Sequence, residues 1–170
     1  MSRCLAFAAR TPVLFLSFFS SGLLLVWVFP ALPVGAPLLD TLPVYSPSLA
    51  RELLGNYGAE GRRWYAVASP TLDTLLPICY TTFFAGMLYR CQLPGRFAWV
   101  VFVPIAVALW DLLENLQITS LLLSYPDVTD GQILWASAFT WVKGVVLVPA
   151  MLLVVVFAVL YRMGSRPRRG

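Results

Sequence analysis

Four stretches of the chain, residues 13–30, 65–89, 97–124 and 133–161, are almost wholly apolar, and polar positions collect between them. A hydrocarbon core of about 30 Å is crossed by roughly 20 helical residues, so each stretch is long enough to span a bilayer. With nearly all of the chain inside or next to these stretches, the pattern predicts one all-α domain. It is a polytopic membrane protein built as a bundle of four transmembrane helices.

The loop between the first two spans is the only long one. Pro30, Pro33, Pro37 and Pro43 predict an extended first half, because proline fixes φ and has no N–H to give. Ser46-Pro47 then reads as a helix cap followed by proline at the first helical position. A short amphipathic helix over 47–57 is expected, with Leu49, Leu53 and Leu54 on its apolar side, either lying on the bilayer surface or capping the mouth of the bundle. Trp27, Phe29, Trp64, Tyr65, Tyr125 and Trp135 fall at one set of span ends, and Tyr89, Phe97, Trp99 and Tyr161 at the other. Interfacial aromatic belts look like this.

Charge adds an orientation. Arg3, Arg10, Arg90, Arg96, Arg162, Arg166, Arg168 and Arg169 fall on one side, whereas the other holds Arg51, Arg62 and Arg63 together with Asp40, Glu52, Glu60, Asp127 and Asp130. The positive-inside rule then places both termini and the basic tail 162–170 in the cytoplasm, and the first and last loops outside. The net charge of +4 is read as topology and contact with anionic headgroups, not nucleic-acid binding. The first span is read as retained rather than cleaved. Its apolar run exceeds the roughly 7–15 residues of a signal peptide's core, and prolines occupy the stretch where small residues would mark cleavage.

Of the 170 residues, 59% are hydrophobic and 12% charged, and the mean hydropathy of +0.79 excludes both an ordinary soluble domain and a disordered chain. The chain has no histidine, which removes histidine-based zinc sites and Ser-His-Asp or Cys-His catalysis. Cys4, Cys79 and Cys91 form no CxxC and cannot all pair. No metal or cofactor is expected: Asp111-x-x-Glu114-Asn115 could offer oxygens to Mg²⁺, but it stands without a second acidic segment.

Four ionisable side chains remain inside the spans: Asp73, Asp111, Glu114 and Lys143. Such a charge costs at least about 2.5–3.5 kcal/mol at the bilayer centre, so each needs a partner or a wet cavity. At 1.5 Å per residue, Asp73 lies roughly 12 Å and Glu114 and Lys143 roughly 15 Å from the outer face, with Asp111 a turn deeper. Asp111, Glu114, Asn115 and Ile118 share one helical face, as do Asp73, Pro77, Tyr80 and Thr81 on the second span and Thr140 with Lys143 on the fourth. The candidate reacting groups are therefore Asp73, Asp111, Glu114 and Lys143, and the candidate substrate-binding groups are Tyr80, Trp110, Asn115, Thr140 and Trp141. Three carboxylates face one ammonium, and Asp111, the deepest, is expected to keep a proton.

Tyr45-Ser46, Gly58-x-x-Gly61-Arg62-x-x-Tyr65, Leu72-Asp73-x-x-x-Pro77-x-x-Tyr80, Asp111-x-x-Glu114-Asn115 and a lysine in the last span occur here in that order. Over residues 45–148 this set resembles an uncharacterised family of small four-span integral membrane proteins. The resemblance implies a four-helix membrane fold and brings no activity with it. A looser similarity, in span number and intramembrane acids alone, is to the sterol-isomerase and emopamil-binding group, whose isomerases depend on a histidine that this chain lacks.

The sequence favours a structural reading, in which the polar layer fixes helix packing, alone, in a homo-oligomer or within a larger membrane complex, with membrane lipids as the constant partners. The first alternative is a membrane-embedded acid/base enzyme acting on a lipid or isoprenoid. The second is proton- or cation-coupled transport. The expected location is the plasma membrane in a bacterium, or an organelle membrane that the sequence does not specify in a eukaryote.

Overall fold

The computed structural model describes residues 2–93 and 95–164, with the side chains of Ser2, Val148, Ala158 and Arg162 excepted. Most of the expected basic tail, with Arg166, Arg168 and Arg169, lies outside the described residues. The order of helices is α1 (Ser2–Ala8), α2 (Thr11–Leu23), α3 (Pro47–Asn56), α4 (Gly58–Ala68), α5 (Leu72–Arg90), α6 (Val103–Ser124) and α7 (Asp130–Gly164). A π-helical turn at Leu24–Val28 extends α2, and 3-10 turns occupy Leu39–Thr41 and Gly95–Phe102. No strand occurs among the described residues.

Four helices are long and apolar enough to cross a membrane: Thr11–Val28, Gly58–Arg90, Gly95–Ser124 and Asp130–Tyr161. The second begins at Gly58 rather than at residue 65, because Glu60, Arg62 and Arg63 hide an unbroken backbone helix from a hydropathy pattern. It is interrupted at Ser69–Thr71, where Pro70 has no N–H to continue the helical ladder. Packing runs α2 on α5, α5 on α6 and α6 on α7, with α1 against the C-terminal end of α5 and α3 against α7. Helices α2 and α7, at the two ends of this series, do not pack on each other to any comparable extent. The outer circumference carries exposed Phe15, Leu16, Leu23, Leu109, Leu116, Leu134 and Leu153, an inversion of the soluble pattern that suits lipid.

The first half of the long loop is not extended. From Pro30 to Thr41 it turns back over one end of the bundle, burying Val34 and Leu39 completely. Three contacts hold it there. The Tyr57 hydroxyl donates to the Pro37 carbonyl at 2.6 Å, and the Tyr65 hydroxyl donates to Asp40 Oδ1 at 2.7 Å while accepting from the Asp40 N–H at 3.3 Å. Gly61, a turn from both tyrosines, lets the backbone approach so closely that a Cβ there would lie 2.7 Å from the Val34 carbonyl oxygen. Burial pushes the Tyr57 phenol well above its ordinary range, with the nearby Asp40 charge adding to it. The stability it contributes is therefore complete below about pH 10 and is lost as the pH climbs beyond that value.

Ser46 caps α3 by accepting from the Leu49 N–H at 3.2 Å. Ala50, Leu53 and Leu54 are buried, whereas Leu49 is exposed, so the packed face is turned slightly from the expected leucine stripe. Arg51 ties α3 to the last loop through the Val128 carbonyl and Asp130, and Arg62 donates to the Leu54 carbonyl at 2.7 Å while lying over the Tyr125 ring. At the other end, Arg90 bonds the Ala9 carbonyl and Thr11, fixing the turn between α1 and α2.

Gly61→Ala is expected to lower stability by about 1–3 kcal/mol, since the loop must move to admit the methyl group. Gly22→Ala, where nothing lies within 4 Å, should be neutral or stabilising. Thermal unfolding midpoints of the two purified variants in the same detergent check this.

Candidate functional site

Helical phase brings the polar layer together. Asp111, Glu114 and Asn115 recur on one side of α6 at spacings of three and four and are buried at 2%, 0% and 3% exposure. Lys143 reaches across from α7. Its Nζ lies 2.7 Å from Asp111 Oδ1 and 2.7 Å from Glu114 Oε2. Tyr80 closes the set from α5, its hydroxyl donating to Asp111 Oδ2 at 2.9 Å. One continuous chain of polar contacts, Tyr80–Asp111–Lys143–Glu114, thus joins three spans.

Thr140, one turn before Lys143, donates to the Ala136 carbonyl at 3.2 Å and adjoins both Glu114 and the Tyr45 hydroxyl. Tyr45 enters this layer from the loop. Its ring is buried and its N–H donates to Ser137 Oγ at 3.0 Å, while burial raises its phenol well above the ordinary range. Ser69, at the interruption of the second span, donates to the Asn115 carbonyl at 3.3 Å.

Asp73 is buried at 7% exposure, and its Oδ2 has no hydrogen-bond partner in the protein. Glu114 Oε1 and both side-chain amide atoms of Asn115 are in the same condition, and Asp73 differs from them in lining a cavity. Lys143 and Tyr80 both face Asp111, and the carboxyl left without the lysine is Asp73. The reach of the lysine, not distance from water, decides which carboxylates it compensates.

Asp73, Tyr80, Asp111 and Lys143 line one wall of a cavity of about 600 Å³. Its other walls are apolar, with Leu25 and Phe29 from the end of the first span, Leu32, Pro37 and Leu38 from the folded loop, Leu76 from α5 and Leu147 from α7. Ser21, Asp40 and Thr41 add polar atoms. Glu114, Asn115 and Thr140 stand behind this wall and do not line it.

The two tryptophans expected to bind substrate do not line it either. Trp110 stacks on Phe139 with centroids 4.8 Å apart and donates from Nε1 to the Phe139 carbonyl at 3.0 Å, which fastens α6 to α7. Trp141 is half exposed on the outer circumference, because two residues along a helix from Lys143 is nearly the opposite face. Conversely, Asp40, Ser21 and Thr41 were not among the candidates. They reach the cavity through the fold of a proline-rich loop that has no periodicity to read. The signal present was the Tyr57, Gly61 and Tyr65 spacing, which puts three loop-holding positions on one helical face. No group of three or more acidic or cysteine side chains gathers to hold a metal among the described residues.

Lys143→Met leaves Asp111 and Glu114 buried without a cation, and a loss of about 3–5 kcal/mol is expected. The triple variant Lys143→Met, Asp111→Asn, Glu114→Gln should recover much of it. Urea or thermal unfolding of both, compared with wild type, decides this.

No protein-family model, no curated protein and no solved structure matches the chain.

Proposed function

We propose that this protein is a multi-pass membrane protein carrying an acid/base site for an amphipathic lipid or isoprenoid substrate. The observation that carries this reading is the cavity of about 600 Å³ lined by Asp73, a buried carboxyl whose Oδ2 has no protein partner. Tyr80, Asp111, Lys143 and Glu114 are linked in one set, and Asp73 beside them lines the cavity without the lysine as a partner. Asp73 is the group that exchanges a proton with the substrate. Lys143 lies against Asp111 and Glu114, so that the wall holds an ammonium next to the exchanging carboxyl. Tyr80 fixes the position of Asp111, and Asn115 and Thr140 support the layer from behind.

A structural role has its own support in the Lys143 contacts, which tie three spans together. The two readings differ at Asp73. In the acid/base reading, Asp73→Asn inserts and melts within a few degrees of wild type, but the cell's lipid profile changes to that of a strain lacking the protein. An unchanged profile, or one that shifts only in proportion to lost protein, removes the acid/base reading and leaves the structural one.

The arginine distribution supports an orientation with both termini in the cytoplasm and with α3 and the folded loop on the outer side. In a variant with Cys4, Cys79 and Cys91 replaced, a membrane-impermeant thiol reagent applied to intact cells should label Gly131→Cys and not Arg96→Cys. The reverse labelling overturns the orientation.

A further inference from the structure

Which molecules the cavity admits, and from where, can be read from its walls, and this inference rests on the acid/base site proposed above. One end of the cavity is covered by the 30–41 loop, which Tyr57, Tyr65 and the close approach at Gly61 hold down. The side is not covered. Leu25 on the first span and Leu147 on α7 both line the cavity, and among the described residues α2 and α7 do not pack closely on each other. Leu25 also has 56% of its surface exposed on the apolar circumference, so the cavity and the lipid-facing surface meet at this residue. The mouth therefore faces hydrocarbon, and an occupant reaches it by sliding sideways out of a bilayer leaflet.

The head that such an occupant carries is set by the polar wall. Asp73 Oδ2 is an acceptor without a donor, and Asp40 and Asp111 add two more carboxyl groups to the lining. Lys143 is the one cation among the described lining residues, and its ammonium is already held by Asp111 and Glu114 at 2.7 Å each. An anionic head would meet carboxylates and no free cation. A head that donates a hydrogen bond would satisfy Asp73, whose burial makes an unmade bond costly. The volume lies within the range of about 300–1,000 Å³ usual for small-molecule sites, room for a head and the first part of one chain.

We infer that the cavity takes the donor head of a single-chain amphiphile, a primary alcohol or a protonated amine, against Asp73, with the chain passing out to the bilayer between the first span and α7.

The test is equilibrium binding of tetradecanol, tetradecylamine and myristate to the full chain in phosphatidylcholine nanodiscs, followed by native mass spectrometry. The alcohol, the amine or both should bind at least about tenfold more tightly than myristate, the discrimination expected of one charge-assisted hydrogen bond. A preference for the amine alone identifies the head as cationic, and equal binding of both identifies a neutral or charged donor; either supports the inference. Asp73→Asn should erase the preference over myristate. Leu25→Trp, which fills the mouth from a lipid-exposed position and should therefore fold, should weaken all binding by about tenfold or more.

Myristate binding as well as the other two, or a preference that survives Asp73→Asn, overturns the assignment of the head. Binding indifferent to Leu25→Trp overturns the lateral route and marks adventitious lipid only. None of these outcomes depends on turnover. Binding that behaves as expected while the lipid profile of the Asp73→Asn strain stays wild type would instead refute the acid/base reading alone.

Discussion

An ammonium group removed from water needs anions around it, and anions removed from water need the ammonium. In this protein that mutual requirement is met at one atom, Lys143 Nζ, held between Asp111 and Glu114. The attraction is directional in its effect, because the lysine comes from α7 and the acids from α6, and Tyr80 of α5 completes the other oxygen of Asp111. Leucine against leucine offers no such discrimination in a membrane, where lipid tails are as apolar as side chains. The charged set is what distinguishes one register of these helices from a neighbouring one. It also has a chemical consequence: a single lysine cannot serve three carboxylates, and the third, Asp73, faces a cavity instead.

That cavity exists because the chain that follows the first span folds back. Three residues at the start of the second span, Tyr57, Gly61 and Tyr65, make the fold-back possible through the contacts of two hydroxyls and one missing Cβ. Covering the bundle in this way encloses polar groups on one side and leaves the gap between the first span and α7 on another. The ion set and the folded loop thus act on the same space from below and above. Closing either would remove the cavity: a second lysine would satisfy Asp73, and a loop pointing away would open the site to water.

Much of this was legible in the sequence, and the parts that were share a cause. Hydropathy located all four spans, with ends shifted where Glu60, Arg62 and Arg63 interrupt the apolar run without interrupting the helix. Helical phase put Asp111, Glu114 and Asn115 on one buried face and brought Lys143 to their level, because rise and angle per residue are fixed by backbone geometry. The same arithmetic, applied to Trp141, would have turned it away from Lys143, since two residues along a helix is just over half a turn. Proximity in sequence was mistaken there for proximity in space. Trp110 lies beside Asp111 in the chain but a quarter turn around the helix, and it packs on Phe139.

The sequence by itself determined four helices long and apolar enough to cross a membrane, the helix faces of the four buried charges and the imbalance of three acids to one base, all of which follow from local periodicity and counting. Only the tertiary structure decided which acid is left without the lysine, that Asp40 joins the site across 25 residues to Tyr65, and where the bundle stays open. Those depend on side-chain reach and on how a proline-rich loop meets a helix face. Such contacts between distant segments leave no period in the chain to be read beforehand.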